Sequence, residues 1–141
     1  MRQVSFIAYG HKNLVAEHRT TLELTSQDFL TTQGTCIIGV SAGLTLKALD
    51  NDIKELVRSA DTEIRLRLTA EGLTDEVVGH GSPGLTYEDS TSMVARTSNF
   101  ECGRTIMVGA DKAASDISRA LIERLRQPQT QLQCELTFIS R

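Results

Sequence analysis

Tryptophan is absent from this 141-residue chain, and four phenylalanines and two tyrosines supply all its aromatic surface. The stacking platforms on which single-stranded nucleic acids are held are therefore poorly supplied. A formal net charge of −3 points the same way, against a surface built to grip phosphate backbones. No apolar run approaches the ~18 residues a membrane span needs; the longest is the short stretch Cys36–Val40. The opening residues Met1-Arg2-Gln3-Val4-Ser5-Phe6 alternate as a strand does and lack the basic and hydrophobic regions of a signal peptide. A cytoplasmic location is therefore expected. Cysteine is scarce as well: Cys36, Cys102 and Cys134 are an odd count with wide spacing and no C-x-x-C pair. Neither a disulfide framework nor a zinc clip follows from them. Proline occurs only at Pro83 and Pro128, so few points of the chain are barred from regular structure.

What is present is alternation. Ile64, Leu66, Leu68 and Ala70 are separated by Arg65, Arg67 and Thr69, giving one apolar and one polar face. Leu132, Cys134, Leu136 and Phe138 alternate with Gln133, Glu135 and Thr137, and Val4, Phe6 and Ala8 form a third such face. Thr20–Thr25, Leu73–Val78 and Ser92–Thr97 are further strand candidates. Cys36–Val40 and Thr105–Val108 are denser apolar runs of the kind central strands carry. Two stretches switch to helical period: Leu46, Leu49, Ile53, Leu56, Val57 and Ala60, then Ala113, Ala114, Ile117, Ala120, Leu121 and Leu125. The spacing predicts two helices, the second with Asp111 as its N-cap and Pro128 closing it.

The pattern occurs twice. A shift of 68 residues lays Ile38 on Ile106, Val40 on Val108, Ala42 on Ala110, Leu49 on Ile117, Ile53 on Leu121 and Val57 on Leu125. Ile64, Leu66 and Leu68 then fall on Leu132, Cys134 and Leu136. Upstream, with small gaps, Thr25-Ser26 and Phe29 parallel Thr97-Ser98 and Phe100. Gly10-His11 and Gly79-His80 read as equivalent strand ends. Internal duplication is the expectation, in a single domain over residues 1–141 with halves of approximately 1–71 and 72–141. Four strands and one helix per half, with a hairpin at Glu71-Gly72-Leu73, predict an α+β, β-rich fold. It would be a mostly antiparallel β-sandwich or barrel carrying two α-helices.

The run Gly34-Thr35-Cys36-Ile37-Ile38-Gly39-Val40, with Gly10-His11, Thr20-Thr21-Leu22-Glu23-Leu24-Thr25, Arg104-Thr105-Ile106 and Ala110-Asp111-Lys112-Ala113-Ala114, resembles an archaeal family known as domain of unknown function 371. The resemblance covers nearly the whole chain. It implies a β-rich, jelly-roll-like sandwich and carries no activity, cofactor or catalytic residue with it.

Several motifs invite a chemical reading. Gly39-Val40-Ser41-Ala42-Gly43 is a literal G-x-S-x-G between strand and helix, where a nucleophile elbow would lift Ser41 beside free N–H groups. The hydrolase scaffold that uses this elbow is larger, and Gly109 stands at the serine's place in the second half. Gly79-His80-Gly81-Ser82-Pro83-Gly84 satisfies G-x-G-x-x-G, but no helical period follows it, so the dinucleotide reading fails. Asp111-Lys112-Ala113-Ala114 at a helix start could bring free N–H groups and Lys112 to an anion, although a capping Asp111 would already occupy that end. His11, His18 and His80 fall in no H-x-H or H-E-x-x-H pattern, so a metal site would have to be assembled in three dimensions, with Glu17 as an oxygen donor. Arg119 and Glu123 stand at i, i+4 on a solvated helix face.

These features rank a non-catalytic ligand- or partner-binding module first, with His11, His80, Ser82 and Lys112 as binding residues and a small anionic ligand as partner. The expectation is that the two Gly-His loops share one concave site. The competing class is a small hydrolase, metal-dependent through the histidines or serine-based at Ser41. A third is an assembly protein that forms homo-oligomers through an uncovered strand edge. The identity of any cofactor is left open by the sequence.

Overall fold

A computed structural model describes residues 1–141. Eight strands form two four-stranded sheets. β1 (Arg2–Tyr9), β8 (Gln131–Ile139), β4 (Glu63–Ala70) and β5 (Leu73–His80) lie in that order in one sheet, all antiparallel. β3 (Ile37–Gly39), β2 (Thr21–Thr25), β6 (Ser92–Arg96) and β7 (Thr105–Met107) form the other, with an antiparallel centre and parallel outer pairs. The alternation read from the sequence sets the faces of the first sheet. Ile64, Leu66 and Leu68, with Leu132, Cys134 and Leu136, point into one cluster of 36 buried residues, while Arg65, Arg67, Gln133 and Glu135 point out. Leu22, Leu24, Met93 and Ala95 reach the same cluster from the second sheet.

Turn chemistry fixes the central hairpin. Glu71 and Gly72 both have positive φ, +50° and +80°, as a two-residue type I′ turn requires. That turn sets the β4–β5 register from Ala70↔Leu73 out to Glu63↔His80. The two sheets also meet at two corners through single bridges, Tyr9↔Val40 and His80↔Val108, and do not close into a barrel.

The helical stretches are shorter than their periodicity predicts. A 3-10 turn (Leu46–Ala48) precedes α1 (Asn51–Leu56), and another (Ala114–Asp116) precedes α2 (Arg119–Leu125). Leu49 and Ile117 between them are extended, with ψ of 154° and 143°. The apolar spacing persists across each break because turn and helix present their apolar residues to one core. Ser118, not Asp111, caps α2, its Oγ accepting from Leu121 N at 3.4 Å. Neither helix is long and apolar enough to cross a membrane.

Candidate functional site

Strand polarity separates the two loops expected to share a site. Tyr9 lies opposite Gln131 at one end of β8, whereas His80 lies opposite Glu63 and, through it, Ile139 at the other end. β1 and β5 are also opposite edges of the sheet. The two strand ends are thus ~14 Å apart across the sheet and ~27 Å along it, from ordinary strand spacings. One ion or small ligand cannot bridge that diagonal, so the shared mouth is corrected to two separate corners.

The loops are also offset. Gly10 N donates to Thr130 O and Gly81 N to Thr62 O, at 3.0 and 2.9 Å. His11 N and Ser82 N donate to Leu125 O, the last carbonyl of α2, and Val57 O, the C-cap carbonyl of α1, at 2.8 and 2.9 Å. A Cβ on Gly10 or Gly81 would collide with those same carbonyls, which is why both positions are glycine. Gly10 therefore corresponds to Gly81, His11 to Ser82 and Tyr9 to His80. The shared Gly-His letters at Gly10 and Gly79 do not mark equivalent positions.

Each predicted binding residue has a defined local role. His11 Nδ1 accepts from Asn13 N at 3.0 Å. Ser82 Oγ donates to Glu101, whose Oε2 also accepts from Gly84 N at 2.7 Å, and these two donors hold the Glu101 carboxyl below its ordinary range. Lys112 is paired with Asp75 from β5, so it is not a free cation at a helix start. Asp111 seals an edge strand, its Oδ1 accepting from Val78 N at 2.9 Å. His18 Nδ1 accepts from Thr21 N at 3.1 Å, as Asp89 Oδ1 does from Ser92 N at 2.8 Å in the second half. Arg119 does not pair with Glu123: its guanidinium donates to the carbonyls of Ile117, Ala16 and Ala114.

His80 differs from the other two imidazoles. Its Nδ1 lies 2.9 Å from the Gly81 carbonyl, which can only accept, so Nδ1 carries a proton and, in the neutral ring, Nε2 holds the lone pair. His11 and His18 have the opposite tautomer, because their Nδ1 atoms accept from backbone N–H groups. The His80 ring packs over Gly109, where φ is +59° and a Cβ would lie 2.6 Å from Nε2. It lines a half-open cleft of about 430 Å³ with Asp61, Thr62, Glu63, Gly109 and Arg141. Glu63 accepts from Arg65 and Arg141, which hold its carboxyl below the usual range. The sequence reading missed Glu63, although counting outward from the Glu71-Gly72 turn places it opposite His80.

A larger groove, about 890 Å³, crosses the outer face of the first sheet, lined by Ser5, Ile7, Tyr9, Ser41, Arg67 and Glu135 among others. Ser41 has φ +53° at the position where the second half has Gly109. The N–H groups that an oxyanion would need are engaged: Ala42 N donates to Thr25 O and Gly43 N to Ile7 O, at 2.9 and 3.0 Å. No histidine lines this groove, and no three His, Cys, Asp or Glu side chains come together as a metal-ligand group.

The geometry defines a β-rich α+β protein with two opposite corners of unlike chemistry, one histidine-lined and one serine–tyrosine-lined. Residues 6–139 match the family described as domain of unknown function (DUF371), and the chain belongs to that family. Among its relatives is the "Uncharacterized protein MJ0206" of Methanocaldococcus jannaschii, 41% identical over 120 residues, which cover 85% of this chain and 88% of that protein.

Proposed function

We propose that this protein is a non-catalytic binding module whose ligand site is the His80 cleft. The observation that carries the reading is the fixing of the imidazole, with Nδ1–H on Gly81 O and Nε2 beside Gly109 without a hydrogen-bond partner, in a residue that lines a cleft with Glu63 and Arg141. A histidine held this way offers a fixed hydrogen-bond acceptor, and Arg141 retains N–H groups for an anionic group. The fitting ligand is a small molecule carrying both a donor and a carboxylate or phosphate. Lys112, Ser82 and His11 serve this reading only indirectly, by fixing the loops and turns in which they sit.

The duplication belongs to the same reading. The order strand, strand, strand, 3-10 turn, helix, strand runs through twice. Left-handed φ recurs at Ala16 and Tyr87 and at Ser41 and Gly109, and the paired apolar positions, Ile53 with Leu121 among them, are alike buried. Two copies of one unit that diverged at equivalent corners, Tyr9–Ser41 in one and His80–Gly109 in the other, would account for a single ligand cleft on a symmetric scaffold.

Backbone amide NMR tests the site. Titration with glycine and, separately, with inorganic phosphate should shift the amides of His80, Gly81 and Gly109, and His80→Ala should abolish those shifts while the remaining spectrum stays folded. Shifts confined to the groove beside Ser41, or no shift at ~10 mM probe, far above the ~1 mM of weak sites, would overturn it.

A further inference from the structure

β1 and β5, the edge strands of one sheet, end alike in the bridges Tyr9↔Val40 and His80↔Val108 but are protected very differently beyond them. On β5, Asp111 N donates to Val78 O and Asp111 Oδ1 accepts from Val78 N, both at 2.9 Å, so main chain and side chain together complete that position. Asp75 Oδ1 accepts from Glu76 N at 2.8 Å, and the strand carries two carboxylates. Such charges and caps are the usual means of keeping an edge from pairing with another chain.

On β1 the matching residue is Gly43. Its N–H donates to Ile7 O at 3.0 Å, but with no side chain it leaves Ile7 N–H without an acceptor. Gln3 and Ser5 share the alternation phase of Ile7 and Tyr9, so their N–H and C=O groups face the same edge, and no main-chain partner meets them there. Arg2 is the only charged residue of β1, and it sits at the far end of the strand, held by Asp50 at 2.7 Å. Gln3 and Ser5 are exposed, and so are the apolar side chains of Met1 (84%) and Ile7 (39%) at either end of the open run.

We propose that the β1 edge receives the β1 strand of a second copy of this chain, antiparallel about a twofold axis through Val4. The open run is self-complementary about that axis. Gln3 of each copy meets Ser5 of the other, so both exchange N–H and C=O, and Met1 of each copy is brought to the exposed Ile7 of the other. No like charges oppose one another, because Arg2 falls opposite Phe6. The pairing runs up to Ile7, whose C=O is already taken by Gly43 N while its N–H remains for Met1 of the other copy. It joins two four-stranded sheets into one of eight. β5 is guarded against such pairing, since Glu76 stands on its edge with its N–H capped by Asp75 and Asp111 completes Val78. This pairing is independent of the His80 cleft, which lies on the β5 side of the sheet.

Gly43→Asp would transplant the cap of β5 onto β1. Gly43 lacks a left-handed φ, and a Cβ there meets only Ile7 O at 3.6 Å, so the site has room. Light scattering coupled to size-exclusion chromatography should find a dimer of the full chain that dissociates on dilution. Gly43→Asp and Ser5→Lys should each weaken it at least ~10-fold, about 1.4 kcal/mol. Thr74→Lys, on the exposed β5 edge, should leave it unchanged. Circular dichroism confirms that each variant is folded, and Ser5→Lys, at an exposed position, decides the matter if Gly43→Asp is not. A wild-type chain that is monomeric at every concentration, or a dimer that survives Ser5→Lys, would overturn the proposal.

Discussion

Asp75 collects donors from three parts of the chain: Lys112, Ser118 N at 2.8 Å and Glu76 N at 2.8 Å. Burial alone would raise its pKa. The Lys112 ammonium and the two backbone N–H groups outweigh burial and hold the carboxyl below its ordinary value. In the first half the same places are filled by Val4 and Leu44, which pack against the core instead. Asp75→Asn should lower unfolding stability by about 2 kcal/mol near neutral pH, the range for hydrogen bonds to a charged group. Since the folded pKa is depressed, this contribution is complete above the unfolded carboxylate value of ~4 and fades as pH falls through the folded one. The Lys112 pKa is raised, chiefly by Asp75, so its share persists below ~10.5 and is lost as pH climbs through the folded value. Urea unfolding across pH should show the gap between wild type and Asp75→Asn closing in acid. A gap that widens in acid would refute the assignment. Among the cysteines, burial pushes Cys134 up to about 12 and Cys36 up to about 11. Burial acts the same way on Cys102, but Thr105, the Arg104 N–H and Arg96 bring it down to about 7.

Strands were legible where a single face is buried. The alternation in β1, β4 and β8 needs only period two, and the Glu71-Gly72 turn fixes the register of the hairpin it closes. Helix boundaries were not legible, because an extended residue at Leu49 or Ile117 keeps the apolar spacing while breaking the helix. The offset of the glycine loops was hidden for a related reason. The downstream elements match at a shift of 68 residues, but β1 and β2 match β5 and β6 at 71, which pairs Gly10 with Gly81. Reading both shifts would have placed His80 opposite Tyr9 and cleared His11 from its site. The turn after the third strand of each half offers a contrast in side-chain tolerance. Gly109→Ala meets both a left-handed φ and the His80 ring, and should cost about 2 kcal/mol with a shift of the His80 ring signals. Ser41→Ala, already at φ +53° with a side chain, should change thermal stability little. Equal losses at the two positions, by thermal unfolding, would contradict the packing of His80 on Gly109.

The two halves are interlocked: β1 pairs with β8, and β5 with β4, so each half lends its first strand to the last strand of the other or meets it across the central hairpin. This cross-pairing ties the first and last strands of the chain into one core, and it also sends the two strand-end loops to opposite corners. At those corners the chain is least symmetric. One edge is open with Arg2 as its only charge, the other capped by Asp111; one corner carries Tyr9 and Ser41, the other His80 over Gly109. The reading of His80 as the ligand-facing residue rests on which of its ring nitrogens holds the proton, and that is directly observable. Long-range proton–nitrogen correlation spectra of the histidine rings, recorded at mildly alkaline pH where imidazoles are neutral, distinguish the two tautomers. The structure predicts the Nδ1–H form for His80 and the Nε2–H form for His11 and His18. An Nε2–H signature at His80 would place the proton where the lone pair is required and would contradict the account.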